Sequence, residues 1–252
     1  MLLIPNNDDR FREAMWIGAQ RNVPDILQSV LKKDPNLARN VQVELVNTSR
    51  VFAITRLIDS NTMEKEYAIE ISKGLIIEIA SKLELLFSQY HFSPGLGTVQ
   101  KGPNGVALSN DRADALINIY SIALYFAVTH EVGHIKFGHL EWCNRQLGIS
   151  KIIESEGINA ASNLTSKALE LNADIYALAM VASKFCRNYS SANQAGIAMG
   201  VIYEVLAGKA ASIEEFAERT HPHPLVRSAA GLLTLEQSGM NGLWTAKPQT
   251  GG

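Results

Sequence analysis

The first third of the chain carries apolar patterns typical of both helices and strands. Residues 9–33 predict two short helices, with Asp9 capping the first and a break over residues 18–24. Apolar and polar residues alternate over 41–46 and, more weakly, over 51–55, with a polar stretch between the two runs. This arrangement predicts a β-hairpin.

A third strand leads into a helix in the next segment. Residues 67–71 alternate as a strand does, and Ser72 stands where it can cap a helix over about 74–89, whose leucines and isoleucines recur near helical spacing. Residues 91–111 are rich in glycine, proline and asparagine. They predict a loop that holds one short strand at 106–108.

The remainder of the chain has helical patterning. Helices are predicted at about 113–139, 144–155, 162–186, 192–207, 213–220 and 225–237. The polar, glycine-rich residues 238–252 predict a flexible tail. Because no linker divides the chain, we expect one domain over residues 1–237, a mainly helical α+β fold with an N-terminal helical extension.

Composition and charge narrow the functional classes. Apolar residues make up 46% of the 252 residues, which is too many for a disordered chain. The formal net charge of −2 gives no broad attraction to nucleic acid or anionic lipid. Cys143 and Cys186 are far apart, which predicts reduced thiols in a cytosol-like compartment, although one disulfide bond between them stays an alternative.

The apolar segments are too short to predict a membrane span. The longest, residues 115–129, is interrupted by Asn118 and falls short of the roughly 20 residues that a spanning helix needs. The apolar residues 1–4 are cut off by Pro5 and charged residues, so no signal peptide is predicted. We expect a cytoplasmic protein without an integral span, and docking of a leucine-rich surface helix on a membrane stays open.

The strongest chemical signal is an HExxH motif that runs from His130 to His134. Four positions apart on a helix, the two histidines lie on one face, so both rings can bind one metal ion. Glu131 lies about 100° further round the helix, where it can take a proton from a metal-bound water. Residues 116–128 are almost wholly apolar, and polar side chains buried by such a helix need a partner, which a metal supplies.

A catalytic zinc site needs a third protein ligand, because zinc normally keeps three protein ligands and one open position. His139 is one candidate, nine positions after His130. The metzincin pattern, however, requires a glycine and a histidine where Phe137 and Leu140 stand.

Glu170 is the second candidate for the third ligand. It lies four positions before Asp174, so both acids lie on one face of a predicted helix with apolar neighbours. Glu170 can bind the metal while Asp174 accepts a hydrogen bond from a ligand histidine and fixes its orientation. A solvated helix face is the alternative interpretation of this acidic pair.

A third group of polar residues lies near the C-terminus. His221 opens a His-Pro-His-Pro turn, and Arg227 follows it closely. Next to a zinc site, His221 could stabilise the negative charge that develops on the carbonyl oxygen during amide hydrolysis. Arg227 could instead pair with Asp174 or another acid as a structural contact.

These three blocks, in this order over residues 130–227, resemble the HtpX / CAAX-prenyl-protease type of zinc metallopeptidase. The resemblance implies a zincin-like fold with a small, mostly antiparallel sheet packed on the HExxH helix. It implies a gluzincin centre with His130, His134 and Glu170 on Zn²⁺, Glu131 as general base and Asp174 behind the ligands. The substrate would be a protein or peptide.

The same resemblance suggests an edge strand beside the cleft, to which an extended peptide could add by main-chain hydrogen bonds. The residues of this strand are Tyr67, Ala68, Ile69, Glu70 and Ile71. The glycine-rich loop 93–106 would be either a lid over the site or a variable surface loop.

Members of that family often carry membrane-spanning helices, and none is predicted here. The chain therefore also resembles soluble peptidases that combine HExxH with cytosolic protein substrates, such as the Lit-like phage-exclusion peptidases or the ImmA-type regulatory peptidases.

The sequence thus predicts a zinc-dependent endopeptidase without nucleic-acid partners. The main alternative is a non-catalytic, zinc-stabilised protein-binding module, which His139 or a cysteine as fourth ligand would favour. A metal-free helical protein with a chance motif is the third hypothesis.

Overall fold

The structure is a computed structural model of the whole chain. It describes residues 1–5, 9–33, 37, 40–59, 65–89, 91–92, 95, 97–103, 105–148, 151–153, 160–207, 226–227 and 229–230.

Helices dominate the described residues, and the α+β class predicted from sequence is confirmed. In chain order the elements are β1 (Leu2–Pro5), α1 (Arg10–Lys33), β2 (Val41–Val46), β3 (Ala53–Asp59), β4 (Glu66–Ser72), α2 (Lys73–Phe87), β5 (Val99–Gly102), β6 (Gly105–Leu108), α3 (Asn110–Lys136), α4 (His139–Leu147), β7 (Lys151–Ile153), α5 (Ala160–Phe185) and α6 (Tyr189–Ala207).

Helix α3 is the centre of the core. Every residue from Ile122 to Ile135 is buried, and the helix packs against α1, α2, α5 and α6. By length and composition alone α3 could cross a membrane, but 83% of its most apolar window is buried inside the protein. The apolar stretch seen in the sequence therefore belongs to a core helix, whose residues are buried on every face from Ile122 to Ile135 because neighbours surround that part.

The larger sheet has the strand order β2-β4-β3-β7. Strand β4 pairs with β2 in parallel and with β3 antiparallel, and β3 pairs antiparallel with β7. The predicted hairpin between β2 and β3 is therefore wrong, because β4 lies between them. β4 is buried on both faces, which suits an inner strand, whereas β2 exposes much of its length and suits an outer one.

The predicted break within residues 18–24 is also wrong, since α1 is one continuous helix with Pro24 inside it. Proline removes a backbone hydrogen bond and costs a helix interior about 3 kcal/mol. A continuous stripe of buried residues crosses the expected break and outweighs that cost: Trp16, Ala19, Val23, Leu27 and Val30.

Several predicted boundaries are confirmed and others shift. Ser72 caps α2, as expected, by accepting a hydrogen bond of 3.1 Å from the Leu75 N–H. The helix predicted at 144–155 is replaced by α4 and β7, because Gly148 adopts a left-handed conformation (φ 68°) that ends α4. The predicted loop 91–111 contains β5 as well as β6, and both join β1 in a three-stranded sheet.

Some predictions fall on parts of the chain outside the described residues. They are the helix at 213–220, most of the helix at 225–237 and the tail at 238–252.

Arg112, near the start of α3, holds the chain that follows α2. Its guanidinium is fully buried and donates hydrogen bonds to the carbonyl oxygens of Phe87 (2.9 Å), Gln89 (2.9 Å) and Phe92 (2.8 Å). The guanidinium carbon also lies over the Phe87 ring, 5.4 Å from the ring centre. A single side chain thus satisfies carbonyl groups that burial would otherwise leave without water.

The substitution Arg112→Met should lower the free energy of unfolding by about 3 kcal/mol, because it removes the donor from the buried carbonyl oxygen of Phe87 and from two part-buried ones. Urea denaturation measures this change. The control Arg145→Met, at an exposed position of α4, should stay within about 0.5 kcal/mol of the unchanged protein. Equal stability of the two variants would contradict the role assigned to Arg112.

Candidate metal centre and active site

The HExxH residues lie in the buried C-terminal half of α3. His130 and His134 share one face of the helix, and both are almost fully buried. Their Nε2 atoms lie 3.2 Å apart. Two ring nitrogens from successive turns therefore point to one position, as the spacing of four residues predicts.

Helix α5 adds a carboxylate to the same position. Glu170 Oε2 lies 3.2 Å from His130 Nε2, and Glu170 Oε1 lies 3.4 Å from His134 Nε2. Among the described residues, these three form a buried group that could hold a metal ion.

Small residues allow α5 to come this close to α3. Gly133 faces Ala173, and a methyl group added to Gly133 would lie 3.0 Å from Ala173 Cα and 3.2 Å from its carbonyl oxygen. Contacts this short are rare for a Cβ atom, so Ala173 would have to shift by a few tenths of an ångström to admit one. The glycine inside HExxH and the alanine beside Asp174 thus set the distance over which Glu170 reaches the histidines.

The far nitrogens of both histidines also have partners. His130 Nδ1 lies 3.0 Å from Asp174 Oδ1, and His134 Nδ1 lies 3.0 Å from His139 Nδ1. When each Nδ1 carries the ring proton toward its partner, each Nε2 presents a lone pair. Two lone pairs and a carboxylate then converge on one point, and a cation satisfies all three.

The distances fit zinc. A tetrahedral zinc site with bonds of about 2.0–2.1 Å separates its ligand atoms by about 3.3 Å. The two Nε2 atoms lie 3.2 Å apart, and each faces its own oxygen of Glu170: Oε2 is 3.2 Å from His130 Nε2, and Oε1 is 3.4 Å from His134 Nε2. Two imidazoles and one carboxylate are also a donor set typical of catalytic zinc, with three protein ligands.

Arg227 holds Asp174 from the other side. Its Nε and one terminal nitrogen donate to the two carboxylate oxygens at 2.6 Å each, and both side chains are buried. Burial would raise the pKa of Asp174, but the charge of Arg227 and hydrogen bonds from Arg227 and His130 outweigh it and lower that pKa. The Tyr203 ring packs beneath Arg227, 4.6 Å from the guanidinium carbon, an aromatic contact that no sequence motif indicated.

Glu131 points to the sheet instead of to α5. Thr55 on β3 donates a hydrogen bond of 2.5 Å from its hydroxyl to Glu131 Oε2, and both residues are buried. Sequence patterns placed 51–55 in a strand but gave Thr55 no role. Only its burial on a strand that packs against α3 brings it to the carboxylate.

His139 does not enter the group of ligands described above. Its Nδ1 contacts the nitrogen of His134 that faces away from Glu170. Burial lowers the pKa of His139 to about 4, so the ring is neutral at neutral pH. Cys143 is buried nearby, and burial and the Glu170 charge raise the pKa of its thiol. Neither residue closes the site with a fourth ligand among the described residues.

A comparison with family models bears on this site. Residues 92–246 match the model of the Peptidase U49 family, and this segment is more than half of the chain. It includes the HExxH residues, Glu170 and Asp174. The chain belongs to the Peptidase U49 family. No curated protein and no solved structure matches it.

Membership of the Peptidase U49 family supports a peptidase function for this chain, with a protein or peptide as the substrate. The family is Lit-like, which supports the second resemblance seen in the sequence. The HtpX / CAAX type and the gluzincin subtype stay predictions.

The edge strand predicted for this U49 peptidase is corrected by the sheet topology. Tyr67, Ala68, Ile69, Glu70 and Ile71 belong to β4, which has hydrogen-bonded neighbours on both sides. Tyr67 is buried and donates its hydroxyl proton to Glu141 of α4, and Ile69 and Ile71 lie in the core. The main chain of β4 is therefore already paired, and β2 and β7 are the outer strands of this sheet.

One predicted catalytic residue of the U49 peptidase, His221, lies outside the described residues. Its role stays a prediction.

The substitution Gly133→Val should separate α3 from α5, because the valine side chain would overlap Ala173. We expect a loss of about 1–3 kcal/mol in the free energy of unfolding. We also expect the variant to lose any metal that the site holds, measured by metal analysis after gel filtration.

Gly196→Val is the matched control, since Gly196 is exposed on α6 and an added Cβ atom would have nothing within 4 Å. It should keep both stability and metal. A Gly133→Val variant that folds normally and holds as much metal as the unchanged protein would refute the close-approach argument.

Proposed function

We propose that this U49 peptidase is a zinc-dependent endopeptidase of the gluzincin type. The observation that carries the proposal is the convergence of His130 Nε2, His134 Nε2 and Glu170 within 3.2–3.4 Å, inside the segment that matches a peptidase family. His130, His134 and Glu170 would hold the ion.

Zinc in this position would polarise the scissile carbonyl and lower the pKa of a coordinated water. Glu131 would act as general base toward that water and then pass the proton to the leaving amine. Asp174 keeps the His130 ring oriented, and Arg227 keeps Asp174 ionised. His221 is our proposed group for stabilising the oxyanion, since a cationic or donating ring suits that charge.

Thr55 would position the general base. A buried carboxylate can adopt several rotamers, and a hydrogen bond from a β-strand selects one of them. The position of Glu131 therefore depends on the packing of β3 against α3.

Glu131→Gln should keep zinc and lose hydrolysis, because glutamine has a similar shape but cannot accept the proton. We expect turnover to fall about 10²–10⁴-fold. The assay incubates purified protein with a proteome-derived peptide library and counts new termini by mass spectrometry, with zinc content measured on the same sample.

The control for this variant is Glu204→Gln on the exposed surface of α6, which should cleave normally. Cleavage by Glu131→Gln at the rate of the unchanged protein would contradict the role of Glu131 as general base. Lack of cleavage by the unchanged, zinc-loaded protein would argue for the binding-module alternative.

Thr55→Val should lower turnover about tenfold with little change in zinc content, because it removes one hydrogen bond to a charged group without changing the volume of the side chain. Thr55→Ser retains the hydroxyl and should recover most of the activity. The same library assay measures both variants, and equal loss in the two would show a packing role instead.

A further inference from the structure

We propose that His139 is a positioning residue for the metal ligand His134, holding its ring in the tautomer and orientation that direct Nε2 to the ion. This inference rests on the proposed metal centre. The two Nδ1 atoms lie 3.0 Å apart, and both rings are almost fully buried.

The chemistry of two imidazoles at this distance fixes the position of the proton. One nitrogen must donate an N–H, and the other must accept with its lone pair. His134 Nε2 lies beside His130 Nε2 and Glu170, where a metal ligand must present its lone pair. The proton of neutral His134 is therefore on Nδ1, His139 Nδ1 accepts it, and the proton of His139 is on its own Nε2.

The contact between the two rings depends on a break between helices α3 and α4. In a continuous α-helix, residues five positions apart lie about 140° apart around the axis, so His139 could not reach His134. Instead α3 ends at Lys136, and Gly138 adopts the left-handed conformation (φ 66°, ψ 29°) before α4 begins at His139. The chain turns at Gly138, and the His139 ring comes back against the His134 ring, with centres 5.1 Å apart.

Phe137 restricts His139 from another side. Its ring stacks on the His139 ring, with centres 5.8 Å apart and planes 27° apart. His139 thus contacts two rings at once, and its Nδ1 is directed at His134.

The two histidine ligands therefore have different partners. His130 has the carboxylate of Asp174, whose charge Arg227 balances. His134 has the imidazole of His139, 3.0 Å away, and an imidazole nitrogen accepts the same hydrogen bond without adding another carboxylate beside Glu131 and Glu170. In a buried site a further unbalanced carboxylate would be costly, so a neutral acceptor suits this position.

The test measures metal binding, not cleavage. The metal-free protein is titrated with Zn²⁺ against a chromophoric chelator and with Co²⁺ by visible absorption. His139→Leu should weaken Zn²⁺ affinity about 10–100-fold and alter the Co²⁺ spectrum, as loss of a partner behind a ligand does. His139→Asn places an amide oxygen near the former Nδ1 and should restore most of the affinity. His91→Leu, at an exposed histidine, is the control and should bind as the unchanged protein does.

A second measurement reads the proton position in the unchanged protein and uses a variant only to assign the signal. Two-bond ¹H–¹⁵N spectra of the zinc-loaded, ¹⁵N-histidine-labelled protein report the protonated nitrogen of each ring. His139, assigned by its absence in His139→Asn, should be protonated at Nε2 and not at Nδ1.

The outcomes separate this inference from the proposed function. Zinc affinity of His139→Leu equal to that of the unchanged protein, or a His139 protonated at Nδ1, would overturn the inference and leave the metal centre intact. Failure of the unchanged protein to bind zinc would overturn both. Zinc binding with the expected His139 effect but no peptide cleavage would overturn only the hydrolytic function.

Discussion

The close approach of α3 and α5 at Gly133 and Ala173 is the constraint on which the site depends. A larger residue at Gly133 would press on Ala173, and the resulting shift of α5 would move the Glu170 oxygens from their positions 3.2 and 3.4 Å from the two ring nitrogens. Helix packing is close because interiors have little free space. The same contact therefore serves core stability and ligand geometry.

The site concentrates polar groups in the least exposed part of the protein. His130, Glu131, His134, Glu170 and Asp174 are each at most 3% exposed. Burial of so many ionisable side chains is unfavourable unless each has a hydrogen-bond or ion-pair partner. Arg227 matches Asp174, Thr55 donates to Glu131, and His139 contacts His134, so the partners come from β3, α4 and the C-terminal region as well as from the two helices that carry the ligands.

The apolar core surrounds the site on several sides. Helix α3 is buried along most of its length, with Phe126 stacked on His130 and Tyr203 packed edge-on against Phe126. A rigid apolar surround limits the rotamers of the ligands and excludes water from their far sides. This is how a rigid scaffold holds reactive side chains within a fraction of an ångström.

Local sequence determined the parts of this protein that depend on short spacing along the chain. HExxH on a helix places two rings on one face, Glu170 and Asp174 share another helix face, and Ser72 caps α2, because these relations follow from the geometry of a helical turn. The tertiary structure alone decided that β4 lies between β2 and β3, that α1 continues through Pro24, and that Thr55 and His139 contact the site. These contacts join helices and strands that are far apart in the sequence, and they form because whole apolar faces are buried against one another. The pattern within one helix or strand does not specify which other element will pack against it.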